Sequence, residues 1–225
     1  MSEFLLMDPT EKKVVLAGLI FGIFVFSALF GGLIIDKLTQ PDVPLLENPY
    51  PAKDFQLRNY MNETVQFKAY DGKVRLVTFV YQLCPDGCST VASKVIQAQN
   101  RYSDSGKVAS FVIDFDYIHD TSASLKTFAE TLTGSNETQE NLQFLYGNET
   151  EIKKVAADWN FFFQPVNETL SSTLQPNHEG GHKALWIHQF IVYVVDEDGL
   201  VQRIFTGLDW DNQDLYDTID LLLSD

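Results

Sequence analysis

The only two cysteines of the chain, Cys84 and Cys88, lie four positions apart in one short stretch. The apolar run Val74–Val80 precedes them, and Thr90–Tyr102 behind them has helical spacing. A strand that leads through a paired-thiol turn into a helix is typical of thiol–disulfide chemistry or of a soft-metal site. Two cysteines are too few for a disulfide scaffold, and unrelated structural thiols would have no reason to adopt this spacing.

The elements that position this turn alternate between strands and helices. Alternating apolar residues before Asp71-Gly72 predict a hairpin, and a second buried strand is predicted at Val108–Phe115. Later segments predict a helix at Glu149–Asn160, a strand at Leu185–Val195 with a hairpin partner, and a closing helix at Asn212–Leu223. A further helix follows the cap Asp120-Thr121-Ser122. The order predicts a thioredoxin-like α/β sandwich.

Composition narrows the classes of partner. The chain has 225 residues, 45% of them hydrophobic, which is enough to bury one full-sized core. Its formal net charge is −15, so nucleic acid and anionic membrane surfaces are poor partners.

The N-terminal part of the sequence, before residue 52, predicts a membrane anchor. Residues 1–13 form a short tail, and residues 14–35 are 22 uncharged residues, long enough to cross a bilayer as a helix. Because this run exceeds the usual apolar core of a cleaved signal peptide, an uncleaved anchor is favoured. Residues 36–51 are a Pro-rich tether, and the folded domain is expected at 52–225.

Charge and sequons predict the orientation of this anchor. Lysines just before the apolar run leave the tail in the cytoplasm and the domain outside a single-pass cell membrane protein. Four Asn-Glu-Thr triplets agree with an extracytoplasmic domain, and they make candidate glycosylation sites of Asn62, Asn136, Asn148 and Asn167.

Histidines are the candidates for a third ligand. A helix N-terminus stabilises thiolates, and the three residues between the cysteines suit a ligand pair better than a tight redox disulfide. Two thiolates select Cu(I), and His188, which interrupts an apolar strand expected beside the turn, could complete a trigonal site. His178 and His182 lie in a Gly-rich loop and are candidate accessory ligands. The alternatives are a hydrogen-bonded core histidine and solvated loop histidines.

Several of these segments together resemble one family, the Sco (SenC) proteins, over roughly residues 52–225. Cys84-Pro85-Asp86-Gly87-Cys88 matches that family's CPDxC turn. Asp116–Thr121 looks like its DPERDT segment, and Leu142–Gly147 with the helix behind it looks like its F-L-x-G region. The stretch His188–Gly199 is similar to the family's metal-binding histidine, strand and turn.

The resemblance implies a membrane-tethered, thioredoxin-like copper protein that helps to assemble the dinuclear copper centre of a respiratory terminal oxidase. It implies that Cys84, Cys88 and His188 bind copper as Cu(I), with Cu(II) left open, and that Asp116 is an acid near the site. Two positions depart from the family pattern. Ser89 replaces the usual proline, and Ile187 replaces the usual aspartate, which removes an acidic neighbour of the histidine.

The leading hypothesis is therefore a copper chaperone more than an enzyme, whose partner is the copper-accepting oxidase subunit and whose thiol pair could also reduce the cysteines of that partner. The alternative is an extracytoplasmic thiol–disulfide oxidoreductase that needs no metal, with Cys84 attacking and Cys88 resolving. A third reading is a purely structural, membrane-anchored interaction module, in which the cysteines and the histidine are incidental.

Overall fold

The chain divides into two compact units, Met1–Asp42 and Val43–Asp225. A computed structural model describes residues 43–135, 139–166 and 186–224, together with residues 8, 13, 16 and 18–27. In the first unit, residues 18–27 are helical and their large apolar side chains, such as Phe21 and Phe24, are exposed. Within these described residues, no helix is both long and apolar enough to cross a membrane. Most other residues of the predicted anchor at 14–35 lie outside the described ones, so the anchor stays a prediction.

The second unit is built on an eight-stranded sheet with the order β1-β10-β9-β4-β5-β6-β2-β3. Strands β4, β5 and β6 run parallel, and the other pairs in this sheet are antiparallel. A separate two-stranded sheet pairs β7 with β8. The strands are β1 (Tyr50–Pro51), β2 (Gln56–Asn59), β3 (Thr64–Gln66), β4 (Val74–Val80), β5 (Val108–Asp114), β6 (Leu142–Tyr146), β7 (Phe163–Pro165), β8 (Trp186–His188), β9 (Ile191–Val195) and β10 (Leu200–Thr206).

Among the described residues of this unit there are four α-helices, namely α1 (Cys88–Arg101), α2 (Ser122–Thr133), α3 (Glu149–Asp158) and α4 (Asn212–Ser224). Every residue of β4 and β5 is buried, as expected for central strands covered on both faces. A smaller, mostly aliphatic core lies between the sheet and helices α1 and α4. A larger core, rich in aromatic side chains, includes residues of α2 and α3. The predicted thioredoxin-like α/β sandwich is confirmed.

Three details differ from the sequence-based expectation. The folded unit starts before residue 52, because β1 pairs with β10 and the Leu46 N–H donates to the Gln202 carbonyl at 2.7 Å. Strand β6 was not predicted, since its five residues are too short to show a clear period. The single strand expected at Leu185–Val195 is broken into β8 and β9, which pair with different partners.

The break between β8 and β9 is stabilised by hydrogen bonds to the segment before β7. The Gln189 N–H donates to the Phe162 carbonyl at 3.3 Å, and the Phe162 N–H donates to Gln189 Oε1 at 3.0 Å. The chain therefore joins the central sheet only at Ile191, and His188 lies in β8, outside the ladder of β9, where its side chain faces the cysteine turn.

Candidate metal centre

The two thiols lie on the connection between β4 and α1. Cys84 sits in the turn, where its N–H donates to the Tyr81 carbonyl at 3.3 Å, and it is half-buried. Cys88 is the first residue of α1 and is buried, with 1% of its surface exposed. Both are free thiols. The helix begins at Cys88 rather than at Thr90, so the second thiol lies directly at the positive end of the helix dipole.

Gly87 allows this turn to close on the segment that carries the histidine. A Cβ atom at Gly87 would lie 2.7 Å from Leu208 Cδ1 and 3.3 Å from Phe190 Cε1. Both distances are shorter than ordinary van der Waals contact. The missing side chain therefore lets the start of α1 approach Phe190, two residues beyond His188.

His188 faces both thiols through the same ring nitrogen. Its Nε2 lies 3.6 Å from Cys84 Sγ and 3.6 Å from Cys88 Sγ. The other nitrogen, Nδ1, lies 2.8 Å from the Gln189 carbonyl oxygen. Because a carbonyl can only accept, Nδ1 carries the proton of the neutral ring and Nε2 keeps its lone pair toward the sulfurs.

Aromatic rings surround the imidazole of His188. The ring centroids of Phe190, Phe115, Tyr81 and Phe161 lie 4.8, 5.1, 5.4 and 6.5 Å from its own. We call these four residues the aromatic cage. The cage restricts rotation of the ring and lowers the local dielectric around it.

The three side chains fit a soft metal ion. One ligand atom from each of Cys84, Cys88 and His188 lies within 4.8 Å of the other two. With bond lengths of about 2.3 Å to sulfur and about 2.0 Å to nitrogen, a planar three-coordinate site would separate sulfur from nitrogen by about 3.7 Å. The observed 3.6 Å agrees with this geometry. Thiolate and imidazole ligands favour Cu(I) and zinc over hard cations.

The two thiols differ in their affinity for a proton. The pKa of Cys84 is lowered to about 4, and the main cause is the hydrogen bond from Cys88. Burial raises the pKa of Cys88, and the hydrogen bond to Cys84 raises it further. At neutral pH the pair therefore holds one proton, on Cys88, while Cys84 is a thiolate ready for a metal ion or a disulfide.

Asp116 was predicted as an acid near the site, and the structure places it in the loop between β5 and α2. It is buried, and its carboxylate accepts from the N–H groups of Ile118 and His119. Its oxygens also lie 2.9 Å from His119 Nδ1. These bonds stay within the loop, so any influence of Asp116 on the metal ligands is indirect.

Two other acids, which the sequence reasoning did not assign to the site, contact the cysteine turn. The Gln82 side-chain amide donates to Asp114 Oδ2 at 2.9 Å, and the Gln82 N–H donates to Asp120 Oδ2 at 3.1 Å. The one available signal in the sequence was an acid, Asp114, at the end of the apolar run Val108–Ile113.

The remaining predicted residues divide into two groups. Asn62 is exposed at φ 64°, and Asn148 is an exposed N-cap whose side chain accepts from the Glu151 N–H at 3.0 Å. Asn136, Asn167, His178 and His182 lie outside the described residues.

Comparison with known proteins gives the family. The sequence model of the SCO1/SenC family matches residues 45–224. No curated protein sequence matches the chain.

Three solved structures illustrate the likeness in fold. Copper-bound ScoI from Bradyrhizobium japonicum is 24% identical over 77% of this chain and 99% of its own, with a TM-score of 0.57. A SCO1/SenC family lipoprotein from Bacillus anthracis is 20% identical over 79% and 99%, with a TM-score of 0.63. BsSco, a member of the Sco family of cytochrome c oxidase assembly proteins, is 20% identical over 80% and 98%, with a TM-score of 0.57. The family match extends over most of the second unit and includes both cysteines and the histidine, and the chain therefore belongs to the SCO1/SenC family.

Proposed function

We propose that this protein is a copper chaperone, which binds Cu(I) through Cys84, Cys88 and His188 and delivers it to the dinuclear copper centre of a respiratory terminal oxidase. The observation that carries the proposal is the placement of one imidazole nitrogen 3.6 Å from both sulfurs. Two relatives add support. The ScoI structure contains copper, and BsSco belongs to a family of cytochrome c oxidase assembly proteins.

The arrangement suits delivery as well as binding. Three ligands leave Cu(I) coordinatively unsaturated, so a thiol or imidazole of the acceptor can join before one of the present ligands leaves. Of the two thiols, Cys84 is the better placed to leave, because it is half-buried in a turn whereas Cys88 is buried at the start of α1.

The proposal includes a membrane anchor at residues 14–35, with the N-terminus in the cytoplasm and the copper-binding unit outside. Its support is the 22-residue uncharged run and the lysines before it. Extraction of membranes with alkaline carbonate tests the anchor. The full chain should stay with the bilayer, and release of the full chain into the soluble fraction would contradict it.

The test of delivery is a transfer experiment. The Cu(I)-loaded chain is mixed anaerobically with the reduced, copper-free domain that carries a dinuclear copper site, and the optical spectrum of that site is followed after oxidation. The acceptor should gain copper faster than it does from an equally tight small-molecule Cu(I) chelate. A rate equal to that of the chelate would contradict delivery through a specific contact between the two proteins.

A second candidate function is thiol–disulfide exchange without metal. The observation in its favour is the asymmetric thiol pair, in which Cys84 has a pKa of about 4 and Cys88 keeps the proton. The BsSco structure is also described with a disulfide switch. His188→Ala separates the two functions. It should weaken copper binding by removing one of the three ligands, whereas reduction of a disulfide substrate at an unchanged rate would favour the redox function.

A further inference from the structure

Two carboxyl groups hold the turn that carries Cys84, because both accept hydrogen bonds from one residue of the turn, Gln82. Gln82 lies two residues after β4 and two before Cys84. Its side-chain amide donates to Asp114 Oδ2 at 2.9 Å, and its main-chain N–H donates to Asp120 Oδ2 at 3.1 Å. Both the backbone and the side chain of Gln82 are thereby held, which leaves it little freedom to rotate or shift.

The two carboxyl groups are themselves firmly placed. Asp114 is the last residue of β5, is 3% exposed, and accepts the Asp116 N–H at Oδ1 at 3.0 Å. Asp120 is fixed through its own N–H, which donates to the Asp116 carbonyl at 3.2 Å. Burial raises the pKa of both carboxyl groups, which favours their neutral forms and lessens the repulsion between them.

We propose that Gln82 is a positioning residue for the metal centre, and that the Asp114–Asp120 pair holds it so that Cys84 Sγ stays within reach of His188 Nε2. In this scheme the parallel strand β5 sets the position of Cys84 relative to β4. Cys88 needs no such support, because α1 already fixes it. The part of the inference that concerns metal affinity rests on the copper-binding function proposed above, and the part that concerns the turn does not.

A matched pair of substitutions tests the role of Gln82. Gln82→Met keeps the length of the side chain and removes the amide, and Gln82→Asn keeps the amide but shortens its reach. Gln99→Met is the control, because Gln99 is also a buried amide that joins a helix to β5. Its Nε2 donates to the Val108 carbonyl at 3.2 Å, and its Oε1 accepts from Ser110 Oγ at 2.9 Å. This control network does not contact the cysteine turn.

Two measurements, both made on the full chain, test the role of Gln82. In the metal-free protein, amide hydrogen exchange across residues 81–88 should accelerate about fivefold or more in both Gln82 variants. Anaerobic competition against a Cu(I) chelator should show a dissociation constant about tenfold higher than in the unaltered chain. Gln99→Met should lower the melting temperature while leaving both readouts within about twofold of the unaltered chain.

The exchange measurement separates failure of this inference from failure of the proposed function. If the unaltered chain does not bind Cu(I), the copper function is wrong, and faster exchange in the Gln82 variants still supports the positioning role. If exchange across 81–88 is unchanged in both Gln82 variants, or if Gln99→Met accelerates it equally, Gln82 has no special positioning role.

Discussion

The two segments that meet at the metal centre are stabilised in different ways. The cysteine turn is held by polar contacts, namely the bonds of Gln82 to two carboxyl groups and the N-terminus of α1. The histidine segment pairs with β7, and the imidazole itself is held by one hydrogen bond at Nδ1 and by the aromatic cage. Cys84 and His188 are both half-buried, but aromatic rings surround the imidazole, whereas Cys84 lies in a turn.

This difference assigns a role to each segment. A caged imidazole with a fixed tautomer is a ligand that keeps its place whether or not metal is bound. The position of Cys84 depends on a few polar contacts of its turn, so the loss of one of these contacts can move the thiolate relative to the imidazole. We therefore expect changes on the turn to alter binding more strongly than changes in the cage.

The largest effect should come from removing either thiol. Cys84→Ser and Cys88→Ser replace a soft thiolate with a hydroxyl that stays protonated, so Cu(I) affinity should fall by more than about 100-fold. Anaerobic chelator competition measures this loss. Ser89→Ala, at the exposed neighbour of Cys88, is the control and should leave the affinity unchanged. Stoichiometric, tight binding in either Cys→Ser variant would rule out the three-ligand site.

Copper affinity should also depend on pH with a slope set by one thiol. Because Cys84 has a pKa of about 4 and that of Cys88 is raised, binding to both at neutral pH releases one proton, from Cys88. The apparent dissociation constant should therefore fall about tenfold for each pH unit gained between about pH 7 and 8. Chelator competition at several pH values gives this slope. A fall near 100-fold per unit would show that both thiols are protonated in the metal-free protein.

Opening the aromatic cage should have a smaller effect on binding. Phe115→Leu removes a fully buried ring beside His188 and should lower the free energy of unfolding by about 1 to 3 kcal/mol. It should weaken Cu(I) binding by about three- to tenfold, because the imidazole gains freedom. Phe111→Leu is the matched control, since Phe111 is equally buried in β5 but packs against Phe55 and Phe67. Equal loss of copper affinity in both variants would mean that the cage acts only through general stability.

The smallest effect is expected at Ile187, where the family pattern has an aspartate. The Gln189 carbonyl already accepts from Nδ1 of His188 at 2.8 Å and fixes the tautomer. Ile187→Asp should therefore change the Cu(I) dissociation constant by less than about threefold. Chelator competition at constant pH measures it. A tenfold tightening would show that the missing acid matters more for the histidine than the carbonyl does.

Much of this architecture could be predicted from local pattern. The strand before Cys84, the helix behind Cys88 and the thioredoxin-like order follow from apolar periodicity and turn residues. Strand β6 and the break between β8 and β9 could not be predicted, because strand pairing over long sequence separations decides them. The same holds for the orientation of His188. Nδ1 of His188 bonds to a backbone carbonyl, and such a group leaves no signal in the sequence.

The contacts of Gln82 with Asp114 and Asp120 could not be predicted for a related reason. Its two acids lie 32 and 38 residues beyond it in the chain, and they meet it only because β4 and β5 are parallel neighbours. An acid that ends an apolar run predicts a strand end equally well, so residue type alone could not assign Asp114 to the site.

X-ray absorption at the copper edge tests the central claim most directly. In the chain loaded anaerobically with one equivalent of Cu(I), we expect two sulfur neighbours and one nitrogen neighbour, at about 2.3 and about 2.0 Å. His188→Ala should lose the nitrogen and keep both sulfurs. Sulfur-only coordination in the unaltered chain, or an unchanged nitrogen shell in His188→Ala, would contradict the site formed by Cys84, Cys88 and His188.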